Sequence, residues 1–162
     1  MFVIPPHLAN QYPGLFEPLI ESVLPGWILD HLHVEVLTLE PGTATFRLAA
    51  NPGLFRRFPP PVTVSHLSGQ VVMALADTLL VFPALAMLGE HREMATLNLS
   101  TEFLRPIHDG DITITAQVLK LGRTAIRGRV DIHDEAGKLC ATSMVCYVYV
   151  SPQNPSQTGD AS

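Results

Sequence analysis

Asp77 is the only ionisable side chain between Gly69 and Gly89, a run of 21 residues that is otherwise almost wholly apolar. A carboxylate in such surroundings must find hydrogen bonds, change its pKa or face a cleft. It is either a structural Asp bonded to a loop amide or a partner subunit, or a general base or nucleophile at a cleft or subunit seam. Ser68 and Gly69 begin the same run. The start of a helix collects unpaired amides and the positive end of the dipole. A glycine there lets a ligand come close to the backbone, so the Gly69 amide could hold the oxyanion that forms when a thioester carbonyl is attacked. Equally, Ser68 can be an ordinary N-cap and Gly69 a turn residue. His66 stands just ahead, as a base, an orienting group or a surface residue.

Other polar residues are candidates for binding. Asn98 and Ser100 alternate with Leu97, Leu99 and Thr101, so they point away from that apolar face, toward a substrate amide, a water or bulk solvent. Arg105, Lys120, Arg123 and Arg127 fall at or near strand ends, where they could meet the phosphates of an anionic ligand. No metal site is expected: His31 and His33 are two apart, and Cys140 and Cys146 have no CxxC spacing.

The elements that would position these groups follow from periodicity. Residues 13–24 read as a short amphipathic helix, stopped by Pro25 and Gly26. Trp27 to Leu39 and Thr43 to Ala49 read as strands of a hairpin around Pro41 and Gly42, and Asn51 to Pro61 as a proline-rich irregular loop. A long apolar helix follows from Gly69 to Leu88. The period then changes to two over 95–104, 112–120, 125–133 and 139–150, with short turns at 106–110, 121–123 and 134–137 that imply antiparallel neighbours. A helix that is apolar on every side must be enclosed, and curling one antiparallel sheet around it does so with the fewest parts. The expected class is therefore α+β. One domain is expected over 1–150, with 1–26 as an N-terminal helical extension and 151–162 as a disordered tail.

Composition narrows the function classes. The chain has 162 residues, 47% hydrophobic and 15% charged, with a formal net charge of −5. So few basic residues do not suit general nucleic-acid binding. The run at 69–89 is long enough to span a membrane, but a central carboxylate there costs about 2.5–3.5 kcal/mol, so a buried core helix is expected instead. The first residues lack a secretory signal pattern. Two cysteines six apart on one strand, at about 3.3 Å per residue, cannot bridge each other. Reduced thiols and a cytoplasmic location follow. The low charge fraction also suggests apolar surface buried between subunits.

The stretch SGQVVMALADTLL, then ATLNLSTEFLRPIHDGDITITAQVLKLGR and a late strand, resembles the hotdog thioesterases of the phenylacetic-acid-degradation type. The likeness runs from about Val62 to Val150. It implies a hotdog fold and hydrolysis of acyl-CoA thioesters, with no cofactor beyond the coenzyme A of the substrate. It implies that Asp77 activates water or attacks the thioester, that the Gly69 amide serves the oxyanion hole with Ser68 beside it, and that Arg105 and Arg123 lie near the phosphates. It implies a homodimer or dimer of dimers with sites at subunit seams. The family's His-Gly-Gly loop stands here as SHLSGQ, so His66 is displaced and Ser68 replaces a glycine. Two other functions share the scaffold: a non-catalytic acyl-CoA binding protein, and a dehydratase or hydratase in which His66 and Asp77 share proton transfer.

Overall fold

The structure is a computed structural model that describes residues 2–61 and 65–150; the expected tail at 151–162 lies outside them. In chain order the elements are β1 (Phe2–Val3), α1 (Pro6–Gln11), α2 (Gly26–His31), β2 (Val34–Glu40), β3 (Thr43–Leu48), β4 (Phe55–Arg57), β5 (Ser65–Leu67), α3 (Gly69–Leu79), α4 (Val81–Leu88), β6 (Met94–Phe103), β7 (Ile112–Leu121), β8 (Ala125–His133) and β9 (Leu139–Tyr149). Seven strands form one sheet in the order β1-β2-β3-β7-β8-β9-β6, antiparallel except for the short β1–β2 pair.

Alternation explains the inner face. Ile112, Ile114 and Ala116 of β7, and Ile126, Val130 and Ile132 of β8, are all buried with Leu75, Leu79 and Leu80 in one core. The segment Gly69–Leu88 has the length and hydropathy of a membrane span, yet two thirds of its most apolar window is buried inside the fold. It is a core helix, and it is broken. Pro83 has no N–H to offer the Leu79 carbonyl, and its ring crowds that position, so α3 stops at Leu79 and α4 restarts at Val81. The Pro83 carbonyl accepts a hydrogen bond from the Gly42 amide at 3.1 Å, which ties the β2–β3 turn to α4.

Gly128 of β8 is where helix and sheet come closest. A Cβ there would stand 2.4 Å from Leu80 Cδ1 and 2.6 Å from the Gln117 carbonyl oxygen. The second neighbour is backbone and cannot swing aside. Gly128→Ala is therefore expected to destabilise the fold by about 1–3 kcal/mol, the usual cost of overpacking. Denaturant titration with an unchanged midpoint would contradict this packing.

Several expectations are corrected. The helix expected at 13–24 forms only in its second half: residues 12–16 are turn and bend, and Pro18, itself in helical conformation, opens the π-helical stretch Leu19–Val23. Residues from Trp27 do not start a strand. Pro25 precedes a helical α2 whose Ile28 and Leu32, four apart, share one buried face, and the strand begins at Val34. The proline-rich loop contains β4, which pairs with β5 in a separate two-stranded sheet. In β6 the pairing register shifts between Thr96 and Asn98, so Leu97 is the extra residue and is 64% exposed. Thr96, not Leu97, faces the helix. Phe103 does lie on the expected face, against Gly69 of α3, although it is 56% exposed at the strand's end. The short connection at 106–110 does not make neighbours: β6 pairs with β9 and not with β7.

Candidate active site

The start of α3 presents two amides. Val71 and Val72 both donate to the Ser68 carbonyl, at 3.0 and 3.2 Å, and the Gly69 and Gln70 N–H groups of the first turn have no partner among the described residues. Ser68 sits at the N-cap without capping: its hydroxyl turns to Gln70 Oε1 at 3.4 Å. The Phe103 ring lies against Gly69, so that a Cβ added there would meet it at 3.3 Å. Two adjoining clefts, of about 440 and 670 Å³, open at this point and share Arg56, His66 and Gly69 in their walls.

Asp77 lies eight residues further along, about 12 Å at the helical rise, and lines neither cleft. It is half-buried. The Thr96 hydroxyl donates to its Oδ1 at 2.6 Å, and Oδ2 has no protein partner among the described residues. Tyr147, 2% exposed on β9, donates its phenol O–H to the main-chain carbonyl of Asp77. Burial, and then the charge of Asp77, push that phenol well above the ordinary tyrosine range, so it stays protonated as a donor. Thr96 and Tyr147 are directly paired across β6 and β9 and approach Asp77 from the same side.

The remaining candidates separate into groups. His66 is in the cleft, on β5, with its ring 5.3 Å from that of Phe58. Arg105 also lines the smaller cleft and donates from Nη1 to the Leu139 carbonyl at 2.8 Å. Asn98 and Ser100 are paired with Cys146 and Met144 on the outer face of the sheet, away from Asp77 and Gly69. Arg123 sits in the tight β7–β8 turn and lines neither cleft. Lys120 and Arg127 are partners across β7 and β8. Cys140 reaches the smaller cleft, but burial pushes its thiol up, the wrong direction for a thiolate nucleophile. Sequence reading missed Thr96, Tyr147, Phe103 and Arg56.

His66→Ala is expected to cost less than about tenfold in kcat, at the low end for a group taking part in proton transfer. The ring packs at a tilt against Phe58, 5.3 Å between centres, and His66 stands in SHLSGQ, displaced from the His-Gly-Gly pattern. A loss as large as that of an Asp77 variant would instead favour the dehydratase reading.

One sheet curled around a central helix, with strand order and connections as above, is the architecture of a hotdog domain. Residues 65–141 match the family model of the thioesterase superfamily. The match covers just under half of the chain, and the fold is the hotdog fold. A candidate esterase of Haemophilus influenzae is 34% identical over 77 residues, 48% of this chain and 56% of that protein, so the match spans little more than half of that relative. The PaaI protein from the phenylacetic acid degradation operon of E. coli superposes with a TM-score of 0.61 at 19% identity, covering 71% of this chain and 82% of its own. A Streptococcus pneumoniae protein described as a hypothetical thioesterase, crystallised with coenzyme A, superposes with a TM-score of 0.62 at 17% identity, covering 74% and 87%. At these identities the two structures establish the shared hotdog fold.

Proposed function

We propose that this hotdog protein hydrolyses acyl-CoA thioesters to the free acid and CoA, with Asp77 as general base or nucleophile. The observation that carries the reading is the state of Asp77. One carboxylate oxygen is fixed by Thr96, the backbone beneath it is held by Tyr147, and Oδ2 is left for chemistry. As a base, Oδ2 takes a proton from the attacking water while the new C–O bond forms. The C–S bond then breaks, and the proton passes from Asp77 to the departing thiolate. As a nucleophile, the same oxygen attacks the carbonyl, the C–S bond breaks to release the CoA thiolate, and water hydrolyses the mixed anhydride to the free acid and the Asp77 carboxylate.

An oxyanion donor is needed within about 3 Å of the reacting carbonyl. The Gly69 amide of the same chain is about 12 Å along the helix from Asp77, too far to serve the same carbonyl. A second copy supplies the missing half. The sheet ends at β6, a ten-residue edge strand whose outer backbone groups have no neighbour among the described residues. Exposed Leu97, Phe103 and Leu104 lie at or beside it. A bare apolar edge invites pairing with another chain, and symmetric dimers are the commonest solution. Asp77 then works with Gly69 of the partner subunit. The CoA seen with the Streptococcus pneumoniae relative supports coenzyme A as the carrier. Arg123, exposed at a strand end and outside both clefts, is the candidate for its phosphates, whereas Arg105 lines the smaller cleft with Gly69.

The test is a panel of acyl-CoAs of several chain lengths with a free-thiol readout. Thiol release that depends on protein supports hydrolysis. Binding without release would leave an acyl-CoA binding protein.

A further inference from the structure

The clefts at the start of α3 have an unusual charge for this chain. The protein carries 15 Asp and Glu against 10 Lys and Arg. Yet no acidic residue lines either cleft, while Arg56 and Arg105 do. Arg56 is exposed, its guanidinium lies 5.2 Å from the centre of the Phe58 ring, and it forms no ion pair among the described residues. Directly across the β4–β5 ladder from it stands His66, whose ring packs on the same Phe58. Phe58 thus acts as a platform that holds the guanidinium plane in place, a contact that costs Arg none of its hydrogen-bonding edge. With the two arginines, Leu67, Val72 and Ile107 give the smaller cleft an apolar wall.

We infer that the acyl group taken by this cleft carries its own carboxylate, so that the substrate is a CoA monothioester of a dicarboxylic acid with Arg56 pairing to the free carboxylate. The inference rests on the acyl-CoA reading above. Arg56 and the oxyanion-type donor Gly69 line the same clefts, so the charge lies within a cleft's width of the thioester carbonyl. The phosphates of CoA are separated from the sulfur by the whole pantetheine arm, and cations this close to Gly69 do not reach them. The apolar wall suits a short methylene chain, and a guanidinium matches a carboxylate with two parallel hydrogen bonds. A site built to pair a charge discriminates strongly against the analogue that lacks it.

The experiment compares hexanoyl-CoA with adipoyl-CoA, which differ only in the terminal carboxylate. Wild-type kcat/KM is expected to favour adipoyl-CoA by about tenfold or more, of the order that a charge-assisted pair provides. Arg56→Lys should keep part of that preference, and Arg56→Gln should abolish it. Calorimetric affinities of the Asp77→Asn protein for the same two thioesters read the carboxylate preference without turnover. A tenfold binding preference with no hydrolysis would sustain this inference and sink the thioesterase reading. Hydrolysis of both thioesters at equal kcat/KM would do the reverse. Equal losses on both substrates in Arg56→Gln would overturn the inference, because Arg56 would then hold a part common to both, such as the phosphates, or the fold itself.

Discussion

Asp77→Asn should fold as the wild type does and lose about 10²-fold or more in kcat, the scale on which a positioned base acts. Asn keeps the shape and still accepts the Thr96 hydroxyl bond through its side-chain oxygen, so the arrangement at β6 survives. The Tyr147 bond goes to the main-chain carbonyl and does not depend on the side chain at all. What is lost is the capacity of the second oxygen to take a proton or attack. A clean loss of kcat, with KM for the thioester little changed and an unaltered thermal midpoint, is the expected pattern. Wild-type turnover in the folded variant would make Asp77 a structural residue, bonded to Thr96 for the sake of the helix alone.

How far the sequence disclosed this arrangement depends on the kind of signal. Strands β7 and β8 were readable because one face of each packs on a wholly apolar helix, so alternation of the type Ile112-Ile114-Ala116 is undiluted. In β6 the inner face is legible from Leu99 to Phe103, but the inserted residue breaks the alternation, so carrying it back past the bulge puts Leu97 where Thr96 stands. The N-terminal segment misled for another reason. Trp27, Ile28 and Leu29 favour strand by type, but Pro25 and the burial of Ile28 and Leu32 on one face decide for a helical turn. Asp77 and Gly69 stood out as chemical exceptions in a uniform run. Their supports did not, because Thr96 is 19 positions away and Tyr147 is 70, and only tertiary packing brings them together. Arg56 was hidden inside a segment that looked like loop. Asn98 and Ser100 were correctly read as facing away from the apolar side, which is also why they do not meet Asp77.

Gly69→Pro offers a way to delete the oxyanion donor without touching a side chain. Gly69 is the first residue of α3, the position where proline is best tolerated, since its amide has no helical partner. Ser68 already has the extended conformation that a following proline requires, with φ −62° and ψ 133°. The new ring carbon meets Phe103 at about the 3.3 Å contact found for an added Cβ, and that side chain is more than half exposed and can yield. Loss of one such donor typically costs about 10²–10³ in kcat. Gly69→Pro and Asp77→Asn should therefore each be nearly inactive alone. Co-expressed, they separate the two architectures. If the site joins Asp77 of one chain to Gly69 of the partner subunit, a mixed dimer has one site with both defects and one with neither. Random pairing of two subunits in a symmetric dimer then restores about a quarter of wild-type activity. If both groups act within one chain, every site carries one defect and the mixture is no more active than its parents. Light scattering gives the companion measurement: a fully active species with a mass near 17.7 kDa would remove the shared site altogether.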